Sequence, residues 1–184
     1  RELSMIRIIT AVFAVLLIVV SVSNARSQGI DDPLSAPIEV LERSAPAEHP
    51  LHLFILAIRK FEAGEKDDAV RWLYVAQIRT RFRLMVEPDL DPSGEPALFA
   101  SFMEAIGRPI NEWAGGDVDL WTRQMQAALD WDAANDNGFT PKADHPGELE
   151  TVRAGLAELI VSTRAAREEI RATREANGLE NRRP

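Results

Sequence analysis

From Leu51 onward the apolar residues of this 184-residue chain recur three and four positions apart, and no segment alternates apolar and polar at every second position. That spacing is one face of an α-helix and does not suit a half-buried strand. Leu51, Phe54, Ile55, Ile58 and Phe61 make the first stripe, opening near Glu48 after a short helix at residues 37–44 that Pro46 closes. Gly64 suits the left-handed position that ends a helix. Asp67 is placed to cap a second long helix over residues 68–86, which Pro88 stops. After a proline-rich loop at 87–96, helices are expected at 97–106, ended by Gly107, and at 109–113. A Gly115-Gly116 turn follows, then a helix capped by Asp117 and running to Ala134, the turn Asp136-Asn137-Gly138, and one long last helix over 146–176. The fold class is therefore all-α.

This helical part, residues 37–163, is one domain by length. Residues 26–36 read as a flexible entry segment, and 164–184 as a charged helical extension projecting from the core. That extension offers only Ile170 and alanines for docking among its arginines and glutamates.

Ahead of the domain, Met5 and Arg7 open an apolar run over residues 8–20, followed by Ser21, Ser23, Asn24 and Ala25. A basic start, an apolar core and a small-x-small end are the parts of a secretory signal peptide over residues 1–25, with cleavage expected after Ala25. Arg1 to Ser4 precede the initiator-like Met5 and read as non-native. A retained anchor is the alternative, but the run is shorter than the ~20 residues of a membrane span. The chain carries 21 Lys+Arg, 29 Asp+Glu and no cysteine. Loss of Arg1, Glu2 and Arg7 with the leader makes its net charge of −8 one unit more negative. An acidic chain lacks the basic face that nucleic acid or an anionic membrane requires. Without thiols there is neither disulfide, cysteine nucleophile nor cysteine metal site. An exported, cysteine-free domain fits the bacterial periplasm.

Within the first two helices, Ala57 stands where helices would cross, Phe61 near the end of the first, Gly64 at the turn, and Ala69 and Ala76 on the second. Residues 51–84 resemble a single tetratricopeptide or Sel1-type repeat, an antiparallel hairpin whose small residues allow close packing. The remainder of the chain carries no second copy. The resemblance implies a protein-binding scaffold.

Candidate sites are few. His49 and His52 lie three apart beside Glu48, but a metal would need His145 or a remote carboxylate as a further ligand, so a capping segment is expected instead. Asp89, Asp91, Ser93 and Gly94 imitate the start of a calcium loop. Its twelfth position, Ala100, cannot supply the bidentate carboxylate, which leaves a proline-shaped turn. No metal or cofactor is expected. Arg71, Arg79, Arg81 and Arg83 give the second long helix a basic side, with Arg79 and Arg83 on one face and carboxylates such as Glu104 or Asp117 as partners. Residues 108–117 concentrate Asn111, Glu112 and Trp113 between a proline and two glycines, with Trp121 just beyond. Asn111, Glu112, Trp113, Trp121, Arg79 and Arg83 are thus the expected binding residues. No nucleophile elbow, phosphate loop or zinc motif occurs. The chain reads as an exported, non-enzymatic protein-binding domain, an adaptor or an immunity-type inhibitor. The alternative is an enzyme acting on cell-wall glycan or peptide through Glu104 or Glu112.

Overall fold

The structure is a computed structural model in which residues 32–183 are described. The leader expected over residues 1–25 lies outside them. The described residues are helical and include no strand, as the periodicity requires. In chain order they form α1 (Ile38–Ser44), α2 (Pro50–Glu62), α3 (Lys66–Val86), α4 (Glu95–Phe102), α5 (Arg108–Ala114), α6 (Val118–Ala134), α7 (Pro146–Ala165) and α8 (Arg167–Ala176). A π-helical turn (Met103–Gly107) joins α4 to α5, and a short 3-10 turn (Lys142–Asp144) precedes α7.

The axis of the domain is α3. Its residues 72–80 are buried without interruption, so it is enclosed on every side rather than amphipathic. It packs along α2, and against α4, α5, α6 and α7. The α2–α3 contact is close because Ala57, Ala69 and Ala76 are small and fully buried. Gly64 makes the connection at φ 86°, the left-handed conformation expected of it. Helix α3 begins two residues earlier than expected: Glu65 is its N-cap, and Asp67 and Asp68 sit in its first turn, where carboxylates favour the positive end of the helix. Asp117 does cap α6, accepting a hydrogen bond from the Leu120 amide at 2.9 Å.

Two further expectations are corrected. Gly107 does not end its helix. It has helical angles inside the π-turn, and a Cβ there would lie 2.9 Å from the Met103 methyl, so glycine serves close packing. The last helix is also interrupted, at Ala166, and its charged end does not project. Arg167 pairs with Asp119, and Arg174 donates to the Glu112 carbonyl at 2.5 Å. The chain then turns at Gly178 and returns, so that the Arg182 amide donates to the Gly116 carbonyl at 2.7 Å. Charge, not apolar area, docks this segment: guanidinium groups reach the Glu112 and Trp113 carbonyls at the C-terminal end of α5, the negative end of that helix.

Candidate functional site

The expected binding residues fall into separate settings. Around residues 108–117 the chain is half covered by its own C-terminal segment. Trp113 is half-buried, edge-on to Phe61 with ring centroids 6.1 Å apart. The guanidinium of Arg182 lies 3.5 Å from its ring centroid and also donates to the Trp113 carbonyl at 3.0 Å. Arg183 pairs with the buried Asp117 at 3.0 Å. Asn111 and Trp121 are brought together by a residue sequence reasoning had passed over. The Tyr74 hydroxyl accepts from Trp121 Nε1 at 2.9 Å and donates to Asn111 Oδ1 at 3.1 Å. Burial holds the Tyr74 phenol well above its ordinary range, against the opposing hydrogen bond from Trp121. Glu112 is exposed and contributes its carbonyl rather than its carboxylate to these contacts.

Arg79 does not join that surface. Its side chain is 0 % exposed. It reaches Asp132 Oδ1 at 3.3 Å and the carbonyls of Ala45, Pro46, Asn135 and Asp136 at 2.7–3.4 Å, under the Trp131 ring. Burial pushes the guanidinium below its ordinary range, and the Asp132 carboxylate opposes this. Asp132 also meets Lys142 and Arg153 at 3.2 and 3.1 Å. The group ties α3 to α6 and to the α1–α2 connection, and leaves Arg79 no accessible donor. The carboxylate expected from Glu104 or Asp117 comes from Asp132. Arg83 is paired as well, with Glu87 at 3.2 Å and Glu95 at 3.4 Å, beside Phe139. Glu104 is exposed and pairs with Arg108 at 2.9 Å.

The histidines also have local tasks. Nδ1 of His49 accepts from the Leu51 amide at 3.1 Å, capping α2, while its ring packs edge-on against Phe139. His52 meets Glu48 at 3.1 Å. In the imitation calcium loop, Asp91 accepts from the Ser93 amide and hydroxyl at 2.8 and 2.7 Å, which closes a turn.

A groove of about 570 Å³ lies elsewhere, with α3 as its floor. From α3 come Gln77, Arg81, Leu84 and Met85; α4 supplies Phe99; the opposite wall is α7, with Gly155, Leu156 and Leu159. Its surface is mostly apolar, and its lips carry Met85 and Leu159, 41 % and 43 % exposed. Gly155 deepens it, since a Cβ there would meet nothing within 4 Å. The Tyr74 and Thr151 hydroxyls in the lining are hydrogen-bonded, and two further polar groups interrupt its apolar surface without such partners. Gln77 is 8 % exposed, and its Nε2 is buried with no hydrogen-bond partner. Arg81 is exposed, stands 5.3 Å from the Phe99 ring, and has no carboxylate partner among the described residues. The sequence does hold one trace of this groove: a glycine in the middle of a helix costs about 1 kcal/mol relative to alanine and so calls for a reason in packing or function.

No protein-family model, curated protein or solved structure matches the chain. Among the described residues no helix is long and apolar enough to cross a membrane.

Proposed function

We propose that this chain is a non-enzymatic protein-binding domain exported to the bacterial envelope, and that the α3–α4–α7 groove receives the partner. The observation that carries this reading is the combination of exposed apolar lips, Met85 and Leu159, with the unpaired Arg81 beside them. A contiguous apolar hollow beside one uncompensated charge is what a partner surface presents before it is covered. The surface at 108–117 serves the reading less well, because the chain's own arginines already occupy it. The enzyme alternative draws no support from Glu104, which is exposed and held by Arg108, or from Glu112, which is exposed and outside the groove. The tetratricopeptide-like α2–α3 hairpin is in keeping with a binding scaffold, since α3 forms its second helix and the floor of the groove.

Gly155→Trp fills the groove from a position with free space, and Ala154→Trp places the same indole on the exposed neighbouring face of α7. Envelope extracts passed over the three immobilised proteins should yield a partner with the native chain and with Ala154→Trp, and lose it with Gly155→Trp. Equal capture by all three would remove the groove from the reading. Export is tested separately by intact mass on fractionated cells, where a mature N-terminus at or near Arg26 is expected; full-length chain in the membrane fraction would overturn it.

A further inference from the structure

The two unpartnered polar groups of the groove share one face of α3. Gln77 and Arg81 are four residues apart, so their side chains emerge one above the other about 5–6 Å apart. Both are donors, and each lacks an acceptor: the Gln77 amide nitrogen is buried and unbonded, and Arg81 has no carboxylate among the described residues. A buried donor left without an acceptor costs free energy that a suitable ligand oxygen recovers. One carboxylate placed between them would satisfy both, with a charge-assisted bond from the guanidinium.

The position of these donors decides what kind of molecule carries the carboxylate. The α3 lining extends from Tyr74 on one side of them to Met85 on the other, a run of about 16 Å along a helix axis. Apolar surface therefore lies on both sides of the polar pair. A ligand with a terminal headgroup and a single tail would cover only one side. The hollow also lies open along its exposed lips, which suits a ligand that keeps a polar face in water. A helix of about three turns meets all three conditions, with apolar residues at i, i+3, i+4 and i+7 and one acidic residue among them.

We propose that the groove takes an amphipathic helix of a partner protein, bound by apolar residues on either side of a single acidic side chain that accepts from Gln77 and Arg81. This rests on reading the groove as the partner site. The test is selection from a displayed library of peptides of about 18 residues, roughly 27 Å as a helix, on the immobilised protein. Enriched sequences should show the helical apolar spacing with a central Asp or Glu. A synthetic peptide of the enriched sequence should lose tenfold or more in affinity on Gly155→Trp, and lose it likewise on Arg81→Glu. Replacing its acidic residue by Lys should restore binding to Arg81→Glu. Enriched peptides that bind Gly155→Trp unchanged would overturn the groove itself as the partner site. Peptides blocked by Gly155→Trp but indifferent to Arg81→Glu would keep the groove and overturn the acidic helix. Failure to enrich any helix, with saturable binding of dodecanoate that Gly155→Trp abolishes, would assign the groove to a small amphiphile and overturn the proposal.

Discussion

Arg79 is the residue whose loss the fold should tolerate least. Its guanidinium is fully buried and serves one carboxylate and four carbonyls, so an apolar replacement takes a donor from all five, although Pro46 keeps the Gly138 amide and Asn135 keeps Lys142. Removing one partner of a buried ion pair commonly costs 3–5 kcal/mol. Because Lys142 and Arg153 still reach Asp132, Arg79→Met should cost about 3 kcal/mol, read as a lower urea midpoint. A loss below about 1 kcal/mol would mean that the carbonyls find water instead. The sequence marked Arg79 as a cation in need of a carboxylate but could not name Asp132, 53 residues away. Asp117 was legible as a cap for the opposite reason: its acceptor duty is to an amide three residues on. Trp113 illustrates a third case. Its unusual neighbours suggested a ligand, and the ring does hold a cation, but the cation is the chain's own Arg182.

At the level of elements, two connections are open to test. The α2–α3 turn places Gly64 at φ 86°, with open space where a side chain would be, so any penalty for substitution there is backbone strain alone. Gly64→Val should cost about 1–2 kcal/mol, seen as a lower melting temperature; an unchanged one would show that the turn relaxes to another conformation. The second connection is the docking of α8 and the returning chain. Deleting residues 167–184 exposes Trp113 and removes the partner of the buried Asp117. The truncated protein should melt lower and show red-shifted tryptophan emission, and its deficit should shrink at high salt, because arginine contacts do the holding. Equal melting temperatures at low salt would show that the segment contributes nothing. The break at Ala166 carries neither proline nor glycine to announce it, and the partners of α8 lie more than forty residues earlier. Hence the helices themselves were legible from periodicity, while the end of the last one was not. The groove was illegible for a related reason: three separate helices build it, and only Gly155 left a local trace.

For the whole molecule, acid should act in two stages. His49 caps α2 through an unprotonated ring nitrogen, and burial lowers its affinity for a proton below the ordinary 6.5, with Glu95 opposing. The unfolded chain therefore binds this proton more readily than the folded one. The stability it confers is complete above 6.5 and falls as pH drops from there to the lowered folded value. Asp91 and Asp119 are shifted in the same direction but from a lower starting point: hydrogen bonds from Ser93 and Arg167 hold them below 3.8, so their contribution is lost only under stronger acid. Urea titrations from pH 8 to 3 should resolve the first stage. His49→Asn, which keeps a capping side chain without a titrating ring, should flatten it. Persistence of that stage in His49→Asn would assign it to another group.

The enclosed helix α3 also sets the order in which the molecule can be assembled. When the ribosome has made α2 and α3, residues 72–80 have only one of their eventual neighbours, because α6 and α7 are encoded up to roughly eighty residues later. At about 5–20 residues per second, those side chains wait for seconds before they can be enclosed. The nascent hairpin is thus an apolar surface awaiting cover, a natural client for a holding chaperone, and the molecule closes only when its last long helix arrives.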